Sequence, residues 1–234
     1  MRLKYPASLN NCRKRVAGLI GAHVDECVLV PNAIHGINTI LRNIGWQKGD
    51  AILKSNISIV FCGEQLKYSP ATITYDAVDK ATRFVADISP HLTLETIDIA
   101  PPYTLDGILK AFQAGLKKIQ SSREYMAFTE QGKRPKILVI VDAISSNPGI
   151  LIPWERIVEF CKTQENVWTL VDAAHAIGHI VGINLNETQP DFFVSVGFIL
   201  RSCWLRLNAE PPRFNRTATS GSTPSAGARF SMSH

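Results

Sequence analysis

The chain has 234 residues, 45% of them hydrophobic, and a formal net charge of +5. That length and composition bury one large domain or two small ones. No apolar run is long enough to span a membrane, and Met1-Arg2-Leu3-Lys4-Tyr5-Pro6 lacks the apolar stretch of a secretory signal. The five cysteines (Cys12, Cys27, Cys62, Cys161, Cys203) are widely spaced and form no C-x-x-C pair, which speaks against a zinc ribbon and against a disulfide framework. Reduced thiols and a cytoplasmic location are the expectation, with no membrane partner. Residues 201–234 hold five arginines against one acid, Glu210, so four of the five net positive charges lie in this stretch rich in Ser, Thr, Pro, Gly and Ala. With few aromatics among those arginines, no nucleic-acid surface is expected.

In chain order, Ser8 as a cap, Leu9, Val16, Ala17 and Ile20 at helical spacing, and Gly21 as a stop predict a first helix. Glu26 to Val30 reads as a short strand. Pro31-Asn32 then turns into a helix with Ile37, Ile40, Leu41 and Ile44 on one face. Ala51-Ile52-Leu53 begins another strand, Tyr75 to Ala86 carries helical periodicity, and Leu94 to Ile99 is a strand before Pro101-Pro102. Thr104 caps a helix over Leu105 to Ile119, Lys136 to Val141 is a buried strand, Trp154 to Cys161 is helical, and Val167 to Asp172 and Asp191 to Ser195 are strands. This alternation predicts an α/β fold, a mostly parallel sheet with helices on both faces.

The most informative stretch is Val171-Asp172-Ala173-Ala174-His175-Ala176-Ile177-Gly178, followed by Pro190-Asp191-Phe192-Phe193-Val194-Ser195. The apolar run from Val167 delivers Asp172 at the carboxyl end of a strand, where open α/β sheets place their ligands. On its own, an aspartate before small residues is also an ordinary strand-to-helix turn. His175 and His179 are spaced i, i+4, but the glutamate of an H-E-x-x-H zinc site is missing between them, so no metal is expected. Neither G-x-G-x-x-G nor G-x-x-x-x-G-K-[ST] occurs, which ranks other nucleotide-binding α/β domains last.

Taken together and in order, these segments resemble the class V aminotransferase family of pyridoxal-phosphate enzymes, in the branch similar to isopenicillin N epimerase and the fungal C-S lyases, over roughly residues 13–195. The resemblance implies the large domain of a fold-type I PLP-dependent transferase, present incompletely, and pyridoxal 5'-phosphate as cofactor. It implies that Asp172 pairs with the protonated pyridine nitrogen, and that His175 lies beside the ring and handles protons. Val28 to Arg42 resembles the strand-turn-helix that receives the phosphate, with the N–H groups of Ala33, Ile34 and His35 as donors. Ile34 stands where the family commonly has a hydroxyl residue. Tyr75 matches the group that stacks on the ring, Ser146 (or Asn147) the group that reaches the ring hydroxyl, and Ser195 a phosphate ligand. An amino-acid-like small molecule as substrate and a homodimer as assembly follow from the same resemblance.

The resemblance breaks in two places. After Ser195 the family has a His-Lys-Trp whose lysine forms the Schiff base; here Ile199 takes that place, and Lys162 is the last lysine of the chain. Arginine is no substitute, because its guanidinium stays protonated. Residues 56–72 also have no counterpart in the family. The resulting expectation is a partial PLP-binding domain over residues 1–195 with an insertion at 56–72, and a disordered, non-family tail over 196–234. Covalent cofactor attachment is not expected. Functionally, the chain resembles a class V enzyme acting on an amino acid or a sulfur-containing derivative but without the Schiff-base lysine. The alternative is a non-catalytic fragment or pseudoenzyme arising from an erroneous gene model.

Overall fold

The computed structural model describes residues 5–57, 76–146, 149–197 and 202–207. The elements in chain order are α1 (Tyr5–Ile20), β1 (Cys27–Val30), α2 (Ala33–Asn43), β2 (Ala51–Ile57), α3 (Asp76–Ile88), β3 (Thr93–Ile99), α4 (Leu105–Gln120) and α5 (Arg123–Glu130). They continue with β4 (Ile137–Asp142), β5 (Ile144–Ser146), β6 (Gly149–Leu151), α6 (Trp154–Lys162), β7 (Val167–Asp172), α7 (Leu185–Thr188), β8 (Phe192–Gly197) and β9 (Ser202–Leu207). Seven strands form one sheet in the order β1-β9-β8-β7-β4-β2-β3. Only β9 runs antiparallel to its neighbours, so the predicted mostly parallel sheet is present. β5 and β6 make a separate two-stranded hairpin.

Side chains alternate across a strand, and here both faces are covered. Leu53 and Ile57 of β2, Val139 and Val141 of β4, Val171 of β7 and Phe193 of β8 point into a layer with α1, α4 and α6. Ile52, Leu138, Ile140, Leu170, Phe192 and Val194 point the other way, onto α2 and α3. This double burial explains why the strands read as unbroken apolar runs rather than alternating ones. Helix α2 lies flush on the sheet because Gly36 has no side chain: a Cβ there would stand 3.0 Å from Val194 Cγ1.

Local signals set most helix ends. Thr104 Oγ1 accepts from the Gly107 N–H at 3.0 Å and Asn32 Oδ1 from the His35 N–H at 2.8 Å, each closing a helix N-terminus that leaves its first N–H groups without intrahelical partners. Gly21, at φ +60, ends α1 as predicted. The same helix begins at Tyr5 rather than after Ser8, since Pro6 is tolerated in a first turn, where no N–H is needed.

Two expectations about non-family segments meet the structure at their margins. Strand β2 runs on to Ile57, pairing with β3 throughout, so residues 56 and 57 of the expected insertion belong to the sheet; the rest of that segment, and Tyr75, lie outside the described residues. The expected tail over 196–234 is corrected in part. Val196 and Gly197 complete β8, and residues 202–207 form β9 between β8 and β1; composition concealed this because six residues of strand are a small part of a 39-residue stretch dominated by Arg, Ser and Pro.

One polar cluster sits inside the α2/α3 layer. Lys54, in the middle of β2, is fully buried, and its ammonium donates to Asp79 of α3, which also accepts from Arg83 Nε at 2.7 Å. Burial would raise the Asp79 carboxyl, but the hydrogen bonds from Arg83 and Lys54 outweigh it and hold the group below the ordinary carboxylate value. Asp79→Ala leaves the Lys54 ammonium alone in an apolar layer and is expected to cost about 3–5 kcal/mol in urea denaturation, whereas Arg83→Ala, at the exposed end of the cluster, is expected to change little. Because the folded value is the depressed one, the Asp79 contribution is present at neutral pH and is lost as pH falls below the ordinary carboxylate range through the lowered value.

Candidate functional site

Strand β7 occupies the centre of the sheet, and Asp172 is its last residue, 6% exposed. It shares a face with Leu170, the face covered by α2 and α3. The Ala174 N–H donates to Asp172 Oδ1 at 3.1 Å. Burial raises the Asp172 carboxyl above its ordinary value, against the Ala174 N–H and the nearby His175, which favour the charged form. His175 itself is exposed. The sequence-predicted pair of Asp172 and His175 is therefore an electrostatic neighbourhood at the carboxyl edge of the sheet.

A second carboxylate stands opposite. Asp142, the last residue of β4, is the register partner of Asp172. It keeps part of its surface open, yet the surrounding protein is dense enough that burial, followed by repulsion from Asp172, lifts its carboxyl well above the ordinary value against the pull of Lys54. Asp142 is not among the residues singled out from the sequence. The signal for it was available: an acid ending each of two neighbouring buried runs, Ile137 to Asp142 and Val167 to Asp172.

The α2 N-terminus lies over the same face of the sheet, against β8. Ala33 and Ile34 are half-buried and His35 is exposed. Because Asn32 already takes the His35 N–H, the donors that the helix start leaves over are those of Ala33 and Ile34. A shallow groove of about 490 Å³ includes Ile34 and His35 with Asn38, Thr39 and Arg42, on the outer side of α2, and contains neither Asp172 nor Ser195.

Other predicted residues are placed differently from one another. Ser195 is fully buried and its hydroxyl donates to the Ala173 carbonyl at 2.6 Å. Since Val194 is the register partner of Asp172, Ser195 lies on the opposite face, with Phe193. Its hydroxyl proton is engaged in joining β8 to the end of β7. Ser146, at the end of β5, is exposed, whereas its neighbour Ser145 is 1% exposed with a hydroxyl that lacks a partner among the described residues. Asn147 and Ile199, like Tyr75, fall outside the described residues. His175 and His179 are not part of any group of three metal-ligating side chains among the described residues.

Sheet order and helices on both faces are those of the large-domain fold found in fold-type I pyridoxal-phosphate enzymes. Solved structures with this fold include a cysteine desulfurase from Thermococcus onnurineus NA1, at TM-score 0.61 and 21% identity over 86% of this chain and 43% of that one. The cystine C-S lyase C-DES, solved with its product cysteine persulfide, has TM-score 0.61 and 16% identity over 88% and 48%. More particularly, residues 118–198 match the family model described as aminotransferase class-V. Among curated proteins, the L-cysteine desulfhydrase-like protein lolT1 of Epichloe uncinata is 32% identical over 187 residues, 80% of this chain and 35% of the relative. The hercynylcysteine sulfoxide lyase of Schizosaccharomyces pombe is 33% identical over 187 residues, 80% of this chain and 39% of the relative. The chain thus spans little more than a third of the length of these relatives.

The Ser195 bond carries a test of its own. Ser195→Ala leaves the Ala173 carbonyl buried without this donor and is expected to lower stability by about 1–3 kcal/mol in urea denaturation. A loss of phosphate affinity with unchanged stability would instead point to a ligand role.

Proposed function

We propose that this chain holds pyridoxal phosphate by non-covalent contacts, at the site where the class V family carries out its chemistry, and does not itself complete that chemistry. The observation that carries the reading is Asp172: a buried carboxylate at the end of the central strand, on the face that also bears the α2 N-terminus. That arrangement fits the cofactor, whose ring nitrogen is cationic and whose phosphate is anionic.

When bound, the cofactor supplies an electron-poor ring that weakens bonds at the α-carbon of an amino acid. The chain's own residues account for the holding. Asp172 would accept a hydrogen bond from the protonated ring nitrogen and balance its charge. The Ala33 and Ile34 N–H groups, at the positive end of the α2 dipole, hold phosphate oxygens. His175, exposed beside Asp172, holds or releases a proton at its imidazole on the solvent side. Ser146 is the candidate for the ring hydroxyl, while Ser195 contributes by fixing the strand end that presents Asp172.

Among the described residues, neither Lys162 nor Lys54 offers a nucleophilic amine to the site. Lys162 lies on α6, against the face of the sheet opposite Asp172, and is the last lysine in the sequence. Lys54 does share the face of Asp172, but it is fully buried and its ammonium is bound to Asp79. An ammonium held in an ion pair has no lone pair with which to attack an aldehyde. Similarity to an L-cysteine desulfhydrase-like protein and to a hercynylcysteine sulfoxide lyase supports a sulfur-containing amino acid as the ligand class that the intact site would take. As it stands, the chain is proposed to be a non-catalytic member of that lineage.

Absorbance titration of the purified chain with pyridoxal phosphate is expected to show saturable, reversible binding, with no lysine labelled after borohydride. Asp172→Asn is expected to weaken binding about ten-fold or more, the scale of one hydrogen bond to a charged group. A single stably labelled lysine would overturn the non-catalytic reading, and binding indifferent to Asp172→Asn would overturn the placement of the ring nitrogen.

A further inference from the structure

Asp142 has no assigned task, yet its position is specific. Strands β4 and β7 are parallel neighbours, and Asp142 and Asp172 are direct register partners at their carboxyl ends. Asp142 follows Ile140, and Asp172 follows Leu170, each two residues along its strand, so both carboxylates stand on the α2/α3 face. Adjacent strands lie about 4.8 Å apart. Two carboxylates projecting side by side from strands at that spacing repel each other, which favours a state in which one keeps its proton.

The surroundings decide which one. Asp172 accepts the Ala174 N–H and has His175 nearby, both of which favour an anion. Asp142 accepts no hydrogen bond from any described residue, and the charged groups acting on it are Asp172 from β7 and Lys54 from β2. The Lys54 charge is largely answered already by Asp79 of α3, itself bonded to Arg83. The direction of both carboxyl groups agrees with this geometry: each is raised, Asp142 the more strongly.

We propose that Asp142 is a positioning residue for the ring-nitrogen site: it keeps its proton, donates it to the Asp172 carboxylate, and leaves the pair with one negative charge and one Asp172 oxygen turned to the cofactor. The proposal rests on the reading of Asp172 as the partner of the ring nitrogen. A single net charge matches a single cationic N–H, where a dianion would be over-charged. The acid pair also links the site to the pH dependence of folding. A carboxyl raised in the folded state stabilises the fold fully below the ordinary carboxylate value, and its contribution is lost as pH rises through the raised value.

The test uses the full chain without cofactor and the neutral isostere Asp142→Asn, which keeps a donor and therefore folds. Infrared spectroscopy at neutral pH is expected to show the carbonyl stretch of a protonated carboxylic acid in the parent chain and to lose it in Asp142→Asn. Urea denaturation against pH is expected to show stability declining above the ordinary carboxylate range in the parent, with that decline flattened in Asp142→Asn. A parent chain without the band, or a variant that retains it, overturns the proposal, as does an unchanged pH slope. These readouts need no bound cofactor, so their failure is distinct from failure of the Asp172 reading, which the pyridoxal-phosphate titration of Asp172→Asn decides separately.

Discussion

Both faces of the sheet are covered by helices, and this single constraint governs where charge is placed in the molecule. A charged side chain leaving a central strand enters an apolar layer, so it persists only if it finds an opposite charge there or stands at a strand end. Lys54 takes the first solution, reaching Asp79 across the β2 to α3 contact. Asp142 and Asp172 take the second, standing where β4 and β7 give out. The three residues come from the adjacent strands β2, β4 and β7 and share one face. The site is therefore built from the same burial that builds the core.

Much of this was legible because the sequence carries local chemistry at the element ends. Thr104 and Asn32 act as caps, Gly21 stops its helix, and the runs from Ile137 and Val167 are strands, each for reasons contained within a few residues. Asp172 stood out for the same reason, as a charge following an apolar run. What escaped depended on contacts distant in sequence. The task of Lys54 is set by Asp79, 25 residues away, and nothing local distinguishes it from a lysine at a strand's surface. Strand β9 gains its place from pairing with β1 and β8, which composition does not register. The β5–β6 hairpin and α5 were missed because three-residue strands and an eight-residue helix carry too little periodicity to separate from loop.

Ser195 shows how a resemblance and a parity argument give different information. Order along the chain marks it as a phosphate ligand, but Phe193 and Ser195 alternate with Val194, and Val194 is the residue aligned with Asp172. Parity alone therefore puts Ser195 on the face away from the acid pair. There its hydroxyl closes a gap that parallel pairing leaves at the end of β7, since the Ala173 carbonyl lies just past the last strand residue. The serine supports the site through the backbone it fixes.

The residues proposed to hold the cofactor are placed by the packing of the sheet. Asp172, Asp142, Lys54 and the start of α2 are tied into the packing of the central sheet, so replacing any of them disturbs burial or leaves a charge unanswered. In the sequence, Ile199 stands where the family has its lysine, outside the strands that carry these residues. Residues whose charge is answered inside the fold form a first group, set apart from those that meet solvent. An acid pair that holds one proton belongs to the first group, because its protonation is fixed by the neighbouring strand before any ligand arrives. A single negative charge set in this way is matched to a single cationic group.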